Sequence, residues 1–539
     1  MTTTPGVQRV HELLEQYDHD DACAAELLCD RHPPDAVAFT IVEPDLSTRD
    51  LTYGELTQQS RAFAAALHQL GVGPGDGVAV LMGKSAELPV ALLGIWRLGA
   101  VHIPLFTAFA PPAIALRLNA SDAKVVIVDA DQRHKLEPGE DMPADRAWRT
   151  VVVGAAAPAG ELSFDDLVEG CAEAPFDAHV GGGHGKLVHL FTSGTTGTPK
   201  AVPVPIRALA SFHAYIEFGL DVSEADVFWN AADPGWAYGL YYAVLGPMAA
   251  GRRSVLLHGG FSAPLTYEVM TGLGVTNFAA APTVYRALRA DATGGPPGLR
   301  LRRASSAGEP LTPDVISWSE AALGVTVRDH YGQTEHGMVI VNAWHDSLAQ
   351  PVRPGSMGLA LPGWSAAVLD DGGDRPAPAG LPGRVAIDIA ESPLIWFDGY
   401  VDAPDRTAER FSRDGRWYIT GDAGRADDDG FFYFSSRDDD VIIMAGYRIG
   451  PFDVESVLVL HPSVVEAAVV GRPDALRGES LEAFVVLRDS WTGSAELTQE
   501  LQKLVKDKFA AHAYPRAVHY VDALPKTPSG KVQRYLLRK

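Results

Sequence analysis

Residues 191 to 200 read Phe-Thr-Ser-Gly-Thr-Thr-Gly-Thr-Pro-Lys. Small hydroxylated side chains (Thr192, Ser193, Thr195, Thr196), glycines and a terminal lysine, Lys200, are concentrated in one loop. Backbone N–H groups and hydroxyls in such a loop can turn together toward a polyphosphate, and the lysine adds a point charge. Gly194 and Gly197 let the backbone come close to the ligand. The spacing is not that of a Walker loop, which needs four residues between its glycines and a lysine directly after the second. Here two residues separate the glycines, and Thr198-Pro199 precede the lysine.

The elements that must carry this loop are legible around it. Leu187 to Phe191 is apolar apart from His189 and predicts a strand leading into the loop. Val78–Leu81, Lys124–Val128, Arg253–Leu257, Val275–Phe278 and Val325–Val327 read as further strands, and Ser60–Leu70 and Glu87–Leu98 as helices. This alternation predicts an α/β chain whose parallel sheets are covered by helices. Thr312-Pro313-Asp314 has the form of a helix N-cap with proline at the first helical position. Pro351 to Gly383 is rich in turn residues, and Gly181 to Gly185 predicts a flexible lead-in. After Phe411 the pattern changes: Trp417–Thr420 and Phe431–Phe434 flank Asp427-Asp-Asp-Gly430, a hairpin signal. Arg437-Asp-Asp-Asp440 is a charged break before Val441–Met444. A large domain over 1–438 and a smaller α+β domain over 439–539 are expected.

Composition bounds the function. A chain of 539 residues exceeds one ordinary core. Its formal net charge of -23 disfavours nucleic acid and anionic membrane as partners. Three cysteines make no disulfide framework. Leu88 to Phe106 carries Arg97 and reads as a core helix running into a strand rather than a membrane span. A cytoplasmic setting is expected. Oligomeric state is not legible.

The loop has company in chain order: Ser306-Ala-Gly-Glu-Pro310, Tyr331-Gly-Gln-Thr-Glu335, Tyr418-Ile-Thr-Gly-Asp422, Arg437-Asp-Asp-Asp-Val441, Gly446-Tyr-Arg448 and Pro525-Lys-Thr-Pro-Ser-Gly-Lys531. From Leu51 to the C-terminus the chain resembles the adenylate-forming superfamily, between its acetyl-CoA synthetase and medium-chain acyl-CoA synthetase branches. The resemblance implies ATP-dependent activation of a carboxylic acid to acyl-AMP, then transfer to CoA. It implies ATP, Mg²⁺ and CoA as cofactor and co-substrates. Thr192 to Thr196 and Lys200 would hold phosphates. Gly308, Glu309, Pro310 and the run Asp329, His330, Tyr331, Gly332, Gln333, Thr334 would form the adenine slot. Asp422 with Arg437 would take the ribose, Glu335 would face Mg²⁺, and Lys531 would be catalytic in adenylation. Asp439 would be the hinge. Gly446 and Tyr447 would line the CoA tunnel, with Arg448 facing phosphate. Lys526 reads as an ordinary solvated lysine.

Trp236, Ala237, Tyr238, Ala307 and Gly332 are the expected acyl-pocket residues. Acetate users carry tryptophan where this chain has Gly332, so the resemblance implies more volume and a short- to medium-chain acid, straight or branched. Two other readings stand beside this one. The chain could be a stand-alone adenylation enzyme loading a separate carrier protein, or a non-catalytic nucleotide- or acyl-binding regulator. The regulator predicts loss of Lys531, Glu335 or Asp422, and all three are present.

Overall fold

A computed structural model describes residues 5–192, 200–291, 295–370, 373–437, 440–444, 447–474, 478–510, 512–527 and 530–538. Three sheets organise them. The first has seven strands in the order Leu162–Ser163, Arg149–Val153, Val125–Asp129, Gly77–Leu81, Val101–Pro104, Lys186–Phe191, Ala201–Pro205. All its pairings are parallel except the last, an antiparallel hairpin in which Phe191 faces Ala201. The predicted phosphate loop is therefore the connection of a hairpin at the sheet edge. Its closure is visible on both sides: Thr192 N–H donates to Lys200 O at 2.9 Å.

The second sheet has thirteen strands. From Arg328–Gln333 through Arg303–Ala307, Asn277–Ala280, Phe228–Asn230 and Ser254–Leu257 to Val37–Val42 it is parallel. Beyond Arg328–Gln333 it turns antiparallel, through Gly337–Val341, Ser356–Ala360, Phe432–Arg437 and Trp417–Ala426. Three strands separate Arg328–Gln333 from Trp417–Ala426 in this order. The antiparallel part nevertheless curls until their ends meet, and Gln333 Nε2 donates to Thr420 O at 2.9 Å.

Helices form where the sequence favours them. Tyr53–Gln69 begins with a reciprocal capping box between Thr52 and Glu55, which satisfies orphan N–H groups of its first turn. Glu87–Leu98 is buried from Leu88 to Leu98. Its Arg97 is buried too, because its guanidinium grips Asp30 through two bonds of 2.7 and 2.6 Å. No described helix is long and apolar enough to cross a membrane.

The third sheet belongs to the C-terminal part. Gly478–Leu487 pairs antiparallel with Val464–Asp474 and Ile442–Met444, and parallel with Ala517–Tyr520; Tyr447–Ile449 adds an edge. Helices Pro451–Leu458 and Ala495–Lys508 cover a separate core of Val454, Leu458, Val469, Leu481, Val485 and Leu501.

Three local expectations change. Val325–Val327 is not a strand: the strand starts at Arg328, three residues later, after the helix Pro313–Leu323. That helix starts at Pro313 as expected, but the Thr312 side chain makes no capping bond. The Gly181–Gly185 segment is packed rather than free. Gly182 and Gly183 donate to Ala22 O and His19 O, and a Cβ on Gly183 would fall 2.9 Å from Asp18 Cα.

Candidate active site

A cleft of about 990 Å³ lies between the curled end of the large sheet, the hairpin at Lys200 and the small domain. Its lining gathers Thr192, Lys200, Gly308, Glu309, Pro310, Asp329, Tyr331, Gln333, Thr334, Glu335, Asp422, Arg437 and Lys531. Motifs more than three hundred residues apart in sequence thus share one cavity. Ser193, Gly194, Thr195, Thr196, Asp439 and Gly446 lie outside the described residues. Tyr447 and Arg448 lie on the edge strand Tyr447–Ile449.

Asp422 organises one wall. It sits opposite Arg437 in the hairpin register, and Arg437 Nη1 donates to its Oδ1 at 3.0 Å. Its other oxygen accepts from Tyr331 Oη at 2.5 Å and Gln333 Nε2 at 2.6 Å. Tyr418 Oη donates in turn to Gln333 Oε1 at 3.1 Å. The ring of Tyr331 and the carboxylate of Asp422 are thereby locked together. A carboxylate offers about four acceptor positions, and three are used here.

Asp329 forms the floor. Leu311 N–H donates to its Oδ2 at 3.3 Å, while Oδ1 is buried without a partner among the described residues. Burial raises this carboxyl from its ordinary range to about 8. An orphaned acceptor facing a cleft is what a donor such as an exocyclic amine would satisfy.

His330 is held differently. Its Nε2 lies 3.2 Å from Asn342 O, which only accepts, so Nε2 carries the proton and Nδ1 accepts from Tyr215 Oη at 2.7 Å. Burial lowers its pKa to about 3, keeping it neutral. The imidazole is fully committed on the side away from the nucleotide motifs, so only its main chain is available to the cleft. Tyr241 Oη donates to Thr334 O at 3.0 Å and Tyr242 Oη accepts from Met338 N–H at 2.8 Å. With Tyr215, three tyrosine hydroxyls from the π-helical turns Tyr215–Gly219 and Leu240–Leu245 pin the hairpin that carries Tyr331 to Glu335.

Glu335 is buried to 7% exposure and accepts from Tyr400 Oη at 2.7 Å. Tyr400 also accepts from Arg410 Nε at 3.1 Å, and Lys200 Nζ stands 4.8 Å from its ring centroid. Desolvation, then Arg410 and Arg406, lower the Lys200 pKa. Sequence reasoning missed Tyr400, Arg406 and Arg410, which lie in no recognised motif. The structure shows them only because the Val401 N–H bonds back to Ala201 O beside the loop.

Lys531 comes from the small domain. Loss of water around its ammonium lowers its pKa, although the residue as a whole keeps an exposed edge; Glu309, Asp422 and Glu335 act on it as anions and Arg437 as a cation. The turn before it requires glycine. Gly530 has φ +89°, and a Cβ there would lie 3.1 Å from Thr283 Oγ1 and 3.5 Å from Glu309 Oε1. Lys526 is not an ordinary solvated lysine: it is half-buried and pairs with Glu466 at 2.6 Å.

Of the expected acyl-pocket residues Gly332 lines this cleft, while Trp236, Ala237, Tyr238 and Ala307 do not. Trp236 packs against Phe106 and Phe109, with centroids 5.4 and 5.6 Å away. Ala307 is buried in the main core. Tyr238 Oη meets Tyr215 Oη at 3.2 Å, and its neighbour Ala237 opens the same helical turn. Gly332 needs a correction. A Cβ there would fall 2.1 Å from Gly337 O and 2.7 Å from Met338 Cα. The absent side chain is demanded by the facing strand of its own hairpin, so it does not measure acyl-pocket volume.

Comparisons with known proteins identify the family. Residues 26–391 match the family model for AMP-binding enzymes, and residues 453–531 match that for the AMP-binding enzyme C-terminal domain. The acetyl-coenzyme A synthetase of Bacillus subtilis (strain 168) is 35% identical over 496 residues, covering 90% of this chain and 84% of that one. The mitochondrial acyl-coenzyme A synthetase ACSM4 of Rattus norvegicus is 35% identical over 497 residues, covering 90% and 83%. The crystal structure of an acyl-CoA synthetase of Brucella canis superposes with a TM-score of 0.76 at 42% identity, covering 99% of this chain and 97% of that one.

Proposed function

The chain belongs to the AMP-binding enzyme family, as an acyl-CoA synthetase that activates a carboxylic acid with ATP and ligates it to CoA, and on that premise we propose how its cleft runs the two steps. The observation that carries the reading is that Lys531, from the small domain, lines the same cleft as Glu309, Asp422, Arg437 and Glu335 of the large one. This is the arrangement for the first half-reaction.

Tyr331 offers its face to adenine, Asp329 Oδ1 accepts from the exocyclic amine, and Asp422 takes a ribose hydroxyl at its one open acceptor position while Arg437 holds it. The Thr192–Lys200 loop grips the β- and γ-phosphates. A carboxylate oxygen of the acid bonds to the α-phosphorus, and the bond to pyrophosphate breaks, its electrons leaving with that group. Lys531 neutralises charge that builds on the α-phosphate and the acid. Charge placed in advance at a dry site lowers such a barrier without reorganisation.

Magnesium fits Glu335. One of its oxygens accepts from Tyr400, and the other remains for a hard cation. Among the described residues no three His, Cys, Asp or Glu side chains gather to hold an ion alone, which suits an ion whose coordination is completed by phosphate oxygens and water. When bound it would neutralise phosphate charge.

For the second half-reaction the domains 1–438 and 439–539 reorient about Asp439. Gly446 and Tyr447 line the thiol's path and Arg448 faces phosphate. The CoA sulfur bonds to the acyl carbon, the bond to AMP breaks, and the thiol proton passes to solvent. The acid is short- to medium-chain. Tyr238 and Tyr215, whose hydroxyls meet at 3.2 Å, stand behind the adenine hairpin where an acyl group would end.

A panel of carboxylates with ATP, Mg²⁺ and CoA, read by AMP, pyrophosphate and acyl-CoA, tests the assignment. Acyl-CoA from acids of about four to eight carbons in preference to acetate is expected. Acyl-AMP that transfers only to a carrier protein would replace CoA as acceptor.

A further inference from the structure

Four charged side chains of alternating sign run across the boundary between the two domains. Lys526 and Glu466, both of the small domain, pair at 2.6 Å. Glu466 Oε1 also faces Arg286 Nε of the large domain at 3.9 Å. Arg286 Nη2 donates to Glu309 Oε2 at 2.7 Å, and Thr283 Oγ1 donates to Glu309 Oε1 at 3.0 Å. Glu309 is the anion that acts most strongly on Lys531. The row therefore crosses the boundary at Glu466–Arg286, and Glu309 ends it beside the Gly530 turn that carries Lys531.

Thr283 and Arg286 lie three residues apart on the helix Pro282–Asp291, so they share one face. That face meets the Gly530 turn directly, since a Cβ on Gly530 would touch both Thr283 and Glu309. Arg286 Nε is buried without a hydrogen bond among the described residues. This nitrogen faces Glu466 Oε1 at 3.9 Å, ion-pair rather than hydrogen-bond distance, while Nη2 is bonded to Glu309. Such a pair is weak enough to break when the small domain leaves, while the shorter bond to Glu309 keeps the guanidinium in place. A tight bidentate bridge across the boundary would instead resist release.

We propose that Arg286 is a positioning residue for adenylation: by bridging Glu466 and Glu309 it holds the small domain in the orientation that seats Lys531 in the cleft. This rests on the function proposed above. Thioester formation uses the other orientation and does not need the bridge.

The test uses Arg286→Gln, Glu466→Gln and the double variant in the full chain. Adenylation is read by pyrophosphate release from acid and ATP without CoA. Thioester formation is read from supplied acyl-AMP and CoA. Each single change is expected to slow adenylation roughly three- to tenfold. The double variant should be no slower than the worse single, because both remove one link. Thioester formation should stay within about twofold of wild type. Equal loss in both half-reactions, additive losses, or unchanged adenylation in Glu466→Gln overturns the proposal. Should Arg286→Gln melt early, Glu466→Gln decides, because it leaves the Arg286–Glu309 bond untouched. A wild type that makes no acyl-AMP from any acid overturns the underlying function instead, which separates the two failures.

Discussion

Gly332→Ala sets two readings of one residue against each other. An added Cβ would lie 2.1 Å from Gly337 O, 2.7 Å from Gly337 C and 2.7 Å from Met338 Cα. An ordinary carbon–oxygen contact is roughly 3.3 Å, so the facing strand must retreat by about 1.2 Å. These atoms are backbone, and Met338 N–H is bonded to Tyr242 Oη, so no flexible side chain can absorb the change. Overpacking of this kind costs about 1–3 kcal/mol. The functional cost is larger, because Tyr331 and Gln333 flank position 332 and both bond Asp422. Misplacing such groups by about 1 Å can cost on the order of 100-fold in rate. Gly332→Ala should therefore lower the melting temperature by roughly one to three degrees and cut pyrophosphate release by one to two orders of magnitude for every acid tested. Thermal melts and initial rates over an acid panel, with ATP varied, measure both. A variant as stable as wild type, with unchanged KM for ATP and a shifted acid preference, would refute the backbone argument and restore the volume reading.

Other outcomes follow from the same geometry. Lys531→Ala should abolish acyl-AMP formation while thioester formation from supplied acyl-AMP falls far less; Gly446→Leu should show the opposite pattern, both read by separate half-reaction assays after circular dichroism confirms folding. Asp439→Pro fixes φ and removes an N–H at the proposed hinge, so adenylation should survive while overall acyl-CoA output drops; equal losses would place the hinge elsewhere. Asp329 is held neutral up to about pH 8, whereas the unfolded chain releases that proton near its ordinary 3.8. The folded state therefore binds more protons between those values, and rising pH costs stability. Asp329→Asn removes that cost, so the melting-temperature advantage of wild type over the variant should shrink from pH 5 to pH 8; a constant difference would show that the carboxyl ionises in the folded state as it does unfolded.

Much was legible in the sequence because it is local. The helix Glu87–Leu98 and the hairpin of Trp417–Ala426 with Phe432–Arg437 follow from apolar runs and turn residues. The motif residues Asp422, Glu335 and Lys531 could be named because side-chain chemistry and order along the chain survive without coordinates. The strand at Arg328 began later than its apolar lead predicted, since Val325 and Val327 are buried by packing rather than by pairing. Distance relations between motifs required the fold. Only the curl of the antiparallel strands brings Gln333 onto Asp422, only the folding of the small domain on itself pairs Lys526 with Glu466, and only its docking places Glu466 opposite Arg286. Gly332 shows the limit most directly. Sequence says that a side chain is missing, but whether the missing volume belongs to a substrate or to the opposite strand depends on what lies across the hairpin. That is a through-space fact about Gly337, which no local propensity encodes.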